Sequence, residues 1–281
     1  MRSFFAATVA LVVVCFPASA ADNDKWSTVK GKVVFDDSKH KIPVRGAPKV
    51  PTGVEVPACA AKDKDFLTDE WIVDPKSKGV KDAVVWLAPE PTADEWKRLR
   101  ATDSTRLRIF PSFKPEQVHP DLKLPKEKSV EMDQPCCRFI PHLVTIRIGQ
   151  TLVIKNSAEF SHNAKYETDN NGADNPLIPA GQKIQIPFKV PEPKPVKVIC
   201  SIHPWMSAWI RAFDHPYFAT TNETGDYEIA KAPVGKFRVF IWHPEGGSSG
   251  GNAGRFGYEL VISPKATEVK PYSVTLDERT K

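Results

Sequence analysis

A chain of 281 residues exceeds one typical domain, and its 41% hydrophobic and 26% charged residues exclude general disorder. Its 26 prolines, against 15 glycines, exclude a helical bundle, because each proline removes a backbone donor and breaks a helix interior. The formal charge of +5 (39 Lys and Arg against 34 Asp and Glu) is scattered rather than gathered into a stripe, so no nucleic-acid partner is expected.

Met1 and Arg2 open the chain, and Phe4 to Phe16 is an apolar run shorter than the ~20 residues that cross a bilayer. Ala18-Ser19-Ala20 then supplies the small residues that a signal peptidase requires. Residues 1–20 read as a cleaved export signal, with the mature chain starting near Ala21 in the periplasm or outside the cell. Cys15 follows Val12-Val13-Val14 rather than the small residues of a lipoprotein signal, so no lipid anchor is expected. No later segment is long and apolar enough to cross a membrane.

Four cysteines remain: Cys59, Cys136, Cys137 and Cys200. An oxidising compartment favours disulfides, but adjacent cysteines rarely bond to each other because the geometry is strained. One bridge from Cys59 to Cys136 or to Cys137 is the expectation. Cys200 is left for another role.

Val29–Phe35 and Val80–Leu87 are β-rich runs separated by a polar, proline-bearing stretch. Thr92 to Glu95 reads as a capping box that opens a short helix through about Arg100. Proline and lysine dominate Pro111 to Pro135, which suggests an extended connector. After it, alternation becomes clear. Val144, Ile146 and Ile148 share one face; Ile184, Ile186 and Phe188, then Val196, Val198 and Cys200, then Ala208, Ile210 and Ala212 repeat the pattern. Short period-two segments of this kind are the signature of an antiparallel sandwich. Tyr227 and Ile229, a turn at Pro233-Val234-Gly235, and Phe237, Val239 and Ile241 form a last β section. Glu245 to Gly257, rich in glycine, is expected to be a mobile loop.

The chemistry concentrates in Cys200-Ser201-Ile202-His203-Pro204-Trp205-Met206, where thiol, imidazole and thioether sit in one tight loop at a strand end. A second histidine, His162, precedes Asn163 just after another strand. Two histidines, one cysteine and a weak axial methionine are the ligand set of blue-copper electron-transfer sites. Each residue also has a structural alternative: Cys200 as a buried thiol or half-cystine, Met206 and Trp205 as core. Trp205 also suits an apolar rim where a redox partner docks. His142 in Pro141-His142 follows an apolar strand and is a lesser ligand candidate; His215 and His243 follow strand ends without partner spacing and are expected at the surface. Neither a metalloprotease helix motif, a phosphate loop nor a nucleophile elbow is present.

The loop resembles that of cupredoxins, and its Cys-x2-His-x2-Met spacing with proline after the histidine is similar to the amicyanin-like members. Gly149 to Asn156 followed by Ser161-His162-Asn163 matches the family pattern of strand, asparagine and ligand histidine before asparagine. Over roughly 130–213, the resemblance implies a Greek-key sandwich holding one type 1 copper. His162, Cys200 and His203 would be equatorial ligands, Met206 the axial one, and Asn163 the residue that pins the two ligand loops together.

Ala219 to Ile229 with Pro233 to Val239 resembles the second half of a carboxypeptidase regulatory-like (transthyretin-like) sandwich, and Val29–Phe35 with Val80–Leu87 its first half. The expected fold is therefore all-β: a cupredoxin domain over 129–213 inserted into a second small sandwich made of 26–128 and 214–281. Three consecutive modules are the rival layout.

The implied function is one-electron transfer to or from an unidentified redox partner protein, such as a periplasmic dehydrogenase of methylamine utilisation, with no catalysis in the chain itself. A copper-delivery protein and a structural sandwich with an empty site are the alternatives. A multicopper oxidase or nitrite reductase needs further histidine clusters, which seven histidines do not supply.

Overall fold

The structure, a computed structural model, describes residues 24–38, 40–47, 49–53, 57, 67–102, 109–250 and 254–275. The expected export signal over 1–20 and Cys59 lie outside them. Among the described residues no helix is long and apolar enough to cross a membrane.

The chain is nearly all β, as its proline content and alternation require. The helix Ala93–Ala101 forms where the capping box predicts: Thr92 Oγ1 accepts from the Glu95 amide, and Glu95 reaches back to the Thr92 amide at 2.7 Å. The proline-rich connector is less extended than expected. Pro115–Gln117 and Pro120–Leu122 are short 3-10 turns, each started by a proline whose fixed φ suits a first helical position. The strand Ser129–Cys136 begins before the connector was expected to end.

Two sheets face each other around a core that holds Val144, Ile146, Leu152, Ile154, Val198 and Ile210. One has Ser129–Cys136 at its centre, parallel to Thr151–Lys155 and antiparallel to Arg138–Ile140, with Lys183–Pro187 on the far side of Thr151–Lys155. The other runs Leu143–Arg147, Ser207–Phe213, Val196–Ile199, Lys165–Glu167 and Ala173–Asp174. The alternating apolar residues face inward, and each fully buried Val, Leu or Ile contributes roughly 1.5–3 kcal/mol.

A second core gathers Val29, Val33, Val85, Leu87, Tyr217, Ile229, Val239 and Ile241. Here Trp26–Phe35 pairs antiparallel with Asp226–Pro233, while Val84–Pro89 pairs with both Phe218–Thr220 and Gly235–His243. Residues from both ends of the chain therefore share these sheets. Gly225 makes this possible: its φ of +79° turns the chain, and a Cβ there would stand 2.3 Å from the Val33 carbonyl oxygen.

The two cores meet at a third cluster of Val84, Leu143 and Phe213 with Trp86, Trp209, Phe218 and Trp242. Phe213 stacks on Phe218 at 4.5 Å between centroids, and Trp209 meets Trp242 edge-on at 5.3 Å. The Arg211 guanidinium lies 5.1 Å from the Trp86 centroid and donates to the Glu192 carbonyl oxygen. An aromatic seam of this kind fixes the sheets against one another.

The glycine-rich stretch departs from the expected mobile loop. Gly247–Ser248 pairs with Gly235–His243, and Ser249, buried, donates to the Ser273 carbonyl at 2.6 Å. His215 and His243 are not surface residues either, being 8% and 1% exposed. His243 stacks on Trp71 at 4.1 Å, and its Nδ1 accepts from the Glu245 and Gly246 amides, both at 3.2 Å. His215 Nδ1 accepts from the Tyr217 amide. Each imidazole acts as a turn acceptor, a role that ligand spacing does not reveal.

Candidate metal centre

The strands Val196–Ile199 and Ser207–Phe213 pair antiparallel, and residues 200–206 connect them. Alternation puts Cys200 on the inward face with Val196 and Val198, and it is fully buried. Two backbone bonds close the loop: the Met206 amide donates to the His203 carbonyl at 2.9 Å, and the Cys200 amide to the Met206 carbonyl at 3.2 Å. Met206, 1% exposed, belongs to the same core cluster as Cys200.

His162 arrives from the other side. It lies in the short strand His162–Asn163, opposite Ile178, and is fully buried. The loop before it is held by Asn156, whose Nδ2 donates to the carbonyls of Phe160 at 2.8 Å and Ile178 at 2.7 Å.

His162, His203 and Cys200 converge. The Nδ1 atoms of the two histidines are 2.9 Å apart, and each is 3.8 Å from Cys200 Sγ. Phe160 packs edge-on against both rings, and Trp205 tilts against His203 at 5.4 Å. Burial, and then the neighbouring His203, hold the His162 imidazole down at about 4; burial alone lowers His203. Both rings are therefore neutral near pH 7, the form that ligates a metal.

Asn163 joins the two loops. Its Oδ1 accepts from the Ser201 amide at 2.8 Å and from the Cys200 thiol at 3.1 Å. Its own carbonyl accepts from Nε2 of buried Gln134 at 3.2 Å, and its Nδ2 donates to Asn175 Oδ1.

Among the disulfide candidates, Cys136 is disulfide-bonded, whereas Cys137 carries a free, fully buried thiol. Cys137 is thus not a half-cystine, which corrects its place among the candidates: it stands at the bend between the strands Ser129–Cys136 and Arg138–Ile140, where its side chain is wholly inside the core and Cys136 is only partly buried against it. Cys137 lies at the site itself. Its sulfur and one ring nitrogen each of His162 and His203 fall within 4.8 Å of one another. Burial, with Cys200 nearby as the smaller cause, pushes its thiol up to about 12. Spacing gave no sign of this residue; the adjacent-cysteine pair was the one available signal. His142, 7% exposed, is held below its usual range by burial and has no place in this group.

The donors suit a soft metal ion. A nitrogen at ~2.0 Å and a sulfur at ~2.3 Å from one ion stand at most ~4.3 Å apart, and the observed 3.8 Å lies inside that limit. A thiol, a thioether and two neutral imidazoles match ions that accept sulfur and nitrogen together.

No protein family profile matches the chain, and no curated protein matches it. Among solved structures it is similar to a Cu-containing nitrite reductase from Thermus scotoductus SA-01, at 27% identity and a TM-score of 0.27. That match covers 30% of this chain and 22% of the reductase chain, so only about a fifth of the latter is spanned. It is also similar to a mutant of amicyanin in the Cu(I) form, at 15% identity and a TM-score of 0.28 over 31% of this chain and 83% of that one. A purple cupredoxin from Nitrosopumilus maritimus matches at 19% identity and a TM-score of 0.25, over 30% of this chain and 98% of its own.

Proposed function

We propose that this chain is an exported type 1 copper protein that carries single electrons, and that His162, Cys200, His203 and Met206 hold the metal. Residues 129–213 would form the cupredoxin domain. Residues 26–128 and 214–281 would be two halves of a carboxypeptidase regulatory-like sandwich around it, and 1–20 the export signal that directs the chain to the periplasm or beyond.

The observation that carries this reading is the convergence of His162 Nδ1, His203 Nδ1 and Cys200 Sγ from stretches nearly forty residues apart. When bound there, copper supplies a one-electron couple. Cys200 and Met206 offer the soft donors that suit the reduced ion, and the neutral imidazoles suit both states. Asn163 and the two backbone bonds of the 200–206 loop keep the donors in place, so little rearrangement accompanies a change of charge. Next to His203, Ile202 is 44% exposed and offers an apolar contact for a redox partner, such as a periplasmic dehydrogenase of methylamine utilisation.

The test is to add Cu(II) to the purified chain and record its visible spectrum. An intense thiolate-to-copper band, absent in Cys200→Ser, is expected; a folded, colourless chain that takes up no copper refutes the reading. Limited proteolysis tests the domain layout. A fragment 26–125 that stays folded after separation from 214–281 contradicts the insertion.

A further inference from the structure

We infer that the cavity between His142 and Trp205 holds one ordered water, through which His142 positions the ligand loop of residues 200–206. The positioning role rests on the metal-site reading above; the water site itself does not.

Among the described residues, His142 Nε2 and Trp205 Nε1 are buried atoms without a hydrogen-bond partner. Both side chains line one cavity of about 30 Å³ beside Met206. His142 is 7% exposed, and its ring bonds the Ser207 backbone. That bond fixes the ring proton on Nδ1 and leaves the unpaired Nε2 as an acceptor. The indole Nε1 of Trp205 can only donate. One residue thus offers the cavity an acceptor and the other a donor. Asp69, on the same wall, brings a negative charge toward the imidazole.

These groups select the occupant. An indole N–H repels a cation, while the imidazole lone pair and Asp69 repel an anion. A small neutral molecule that both accepts and donates remains. Size then decides: a water needs at least ~10–15 Å³ and has a ~30 Å³ share of the liquid, so one fits. Buried polar groups without a protein partner are ordinarily satisfied in this way.

Through this water, His142 acts on the metal loop. Its carbonyl accepts from the Trp209 amide at 2.9 Å and its ring holds Ser207, so it grips the strand that leaves the loop. The water adds a third hold on Trp205, whose ring tilts against His203 at 5.4 Å. Leu67 and Thr68 also line the cavity, so a segment outside 129–213 helps to enclose it.

The test begins with the full chain free of metal. Nuclear Overhauser transfer from water to the Trp205 indole proton, identified by its loss in Trp205→Phe, should carry the sign of a long-lived bound molecule. The transfer should vanish in His142→Leu and return in His142→Gln, which keeps an acceptor at similar reach. Thermal unfolding confirms that each variant folds; should His142→Leu fail to fold, the wild-type transfer and an ordered water in a crystal structure of the wild-type chain decide. With Cu(II) added, His142→Leu should shift the thiolate-to-copper band and His142→Gln should restore it. A wild-type indole proton without the transfer, or a transfer unchanged in His142→Leu, overturns the water site. An identical band in wild type and His142→Leu overturns the positioning role. A chain that keeps the water signal but takes up no copper refutes the copper reading, and the positioning role with it, and leaves the water site standing.

Discussion

The Nδ1 atoms of His162 and His203, 41 positions apart in the chain, stand 2.9 Å from each other, and both residues are buried. Only one proton fits between two nitrogens at that distance, so the rings act as one unit. His203→Ala should raise the His162 pKa from about 4, because one of its two depressing causes disappears while burial remains. Imidazole titration by NMR reads this directly. Copper affinity should fall by about 100-fold or more, since even residues one step behind the ligands cost 10–100-fold. An unmoved His162 titration contradicts the pairing.

Asn163 ties the loop of His162 to that of Cys200 through a bond from the Ser201 amide. Asn163→Ala should destabilise the chain by about 1–3 kcal/mol, the cost of orphaning buried donors, and weaken copper binding about 10–100-fold. Chemical denaturation and a competitive chelator assay measure the two losses. Stability that stays at the wild-type value would show that the loops need no such tie.

Acid should loosen the fold through two buried histidines. Burial holds His243 at about 3 and His215 at about 4, both below the unfolded value of 6.5. The unfolded chain therefore binds more protons below pH 6.5, and stability falls as pH drops from 6.5 toward 4. His243→Asn keeps an acceptor for the Glu245 and Gly246 amides but does not titrate. Its unfolding free energy should depend on pH less steeply by about one proton in that window. An unchanged slope would mean that His243 is protonated in the fold.

Asp82 works in the opposite direction. It is 8% exposed, and burial raises its carboxyl from 3.8 to about 6. Between those values the folded chain keeps a proton that the unfolded chain releases, so stability declines as pH rises through the window and levels off above it. Asp82→Asn should stabilise the chain at pH 7 by roughly 2–3 kcal/mol, with no gain below pH 4. Asparagine also tolerates the φ of +60° at this position. Thermal unfolding at pH 4 and pH 7 checks the sign, and a loss at pH 7 would reverse it.

Phe213 sits at the seam, stacked on Phe218 and tilted against Trp86. Phe213→Ala should cost about 3–5 kcal/mol, as large aromatic deletions in cores do. Denaturant unfolding gives the value; a cost below 1 kcal/mol would mean that the sheets do not depend on the seam.

Much of this arrangement could be read from residue order. Val144, Ile146, Val198 and Ile210 alternate because one face of each strand is buried, and Thr92 with Glu95 carries its own capping geometry. The convergence of His162 with Cys200 and His203 was legible because each follows a strand end at a defined spacing. Other features were hidden. Which of Cys136 and Cys137 turns inward depends on a register irregularity between Asp133 and Cys136, which no periodic pattern encodes. His215 and His243 are buried as acceptors for amides two and three residues on, and composition treats such histidines as polar surface. The glycine-rich stretch was read as slack, yet Ser249 anchors it through one hydroxyl.

The Trp26–Phe35 strand has a consequence for how the molecule comes into being. Lys32 Nζ donates to the Thr224 carbonyl across 192 positions of sequence, so this strand emerges early and must wait for a late partner. Contacts of such long span are slow to form. During the wait its edge is open to other chains, and Lys30 and Lys32, later matched by Glu228 and Asp226, serve as gatekeepers against aggregation. Maturation is thus set by the last fifth of the polypeptide, and a chain cut short there would leave its first strand permanently unwed.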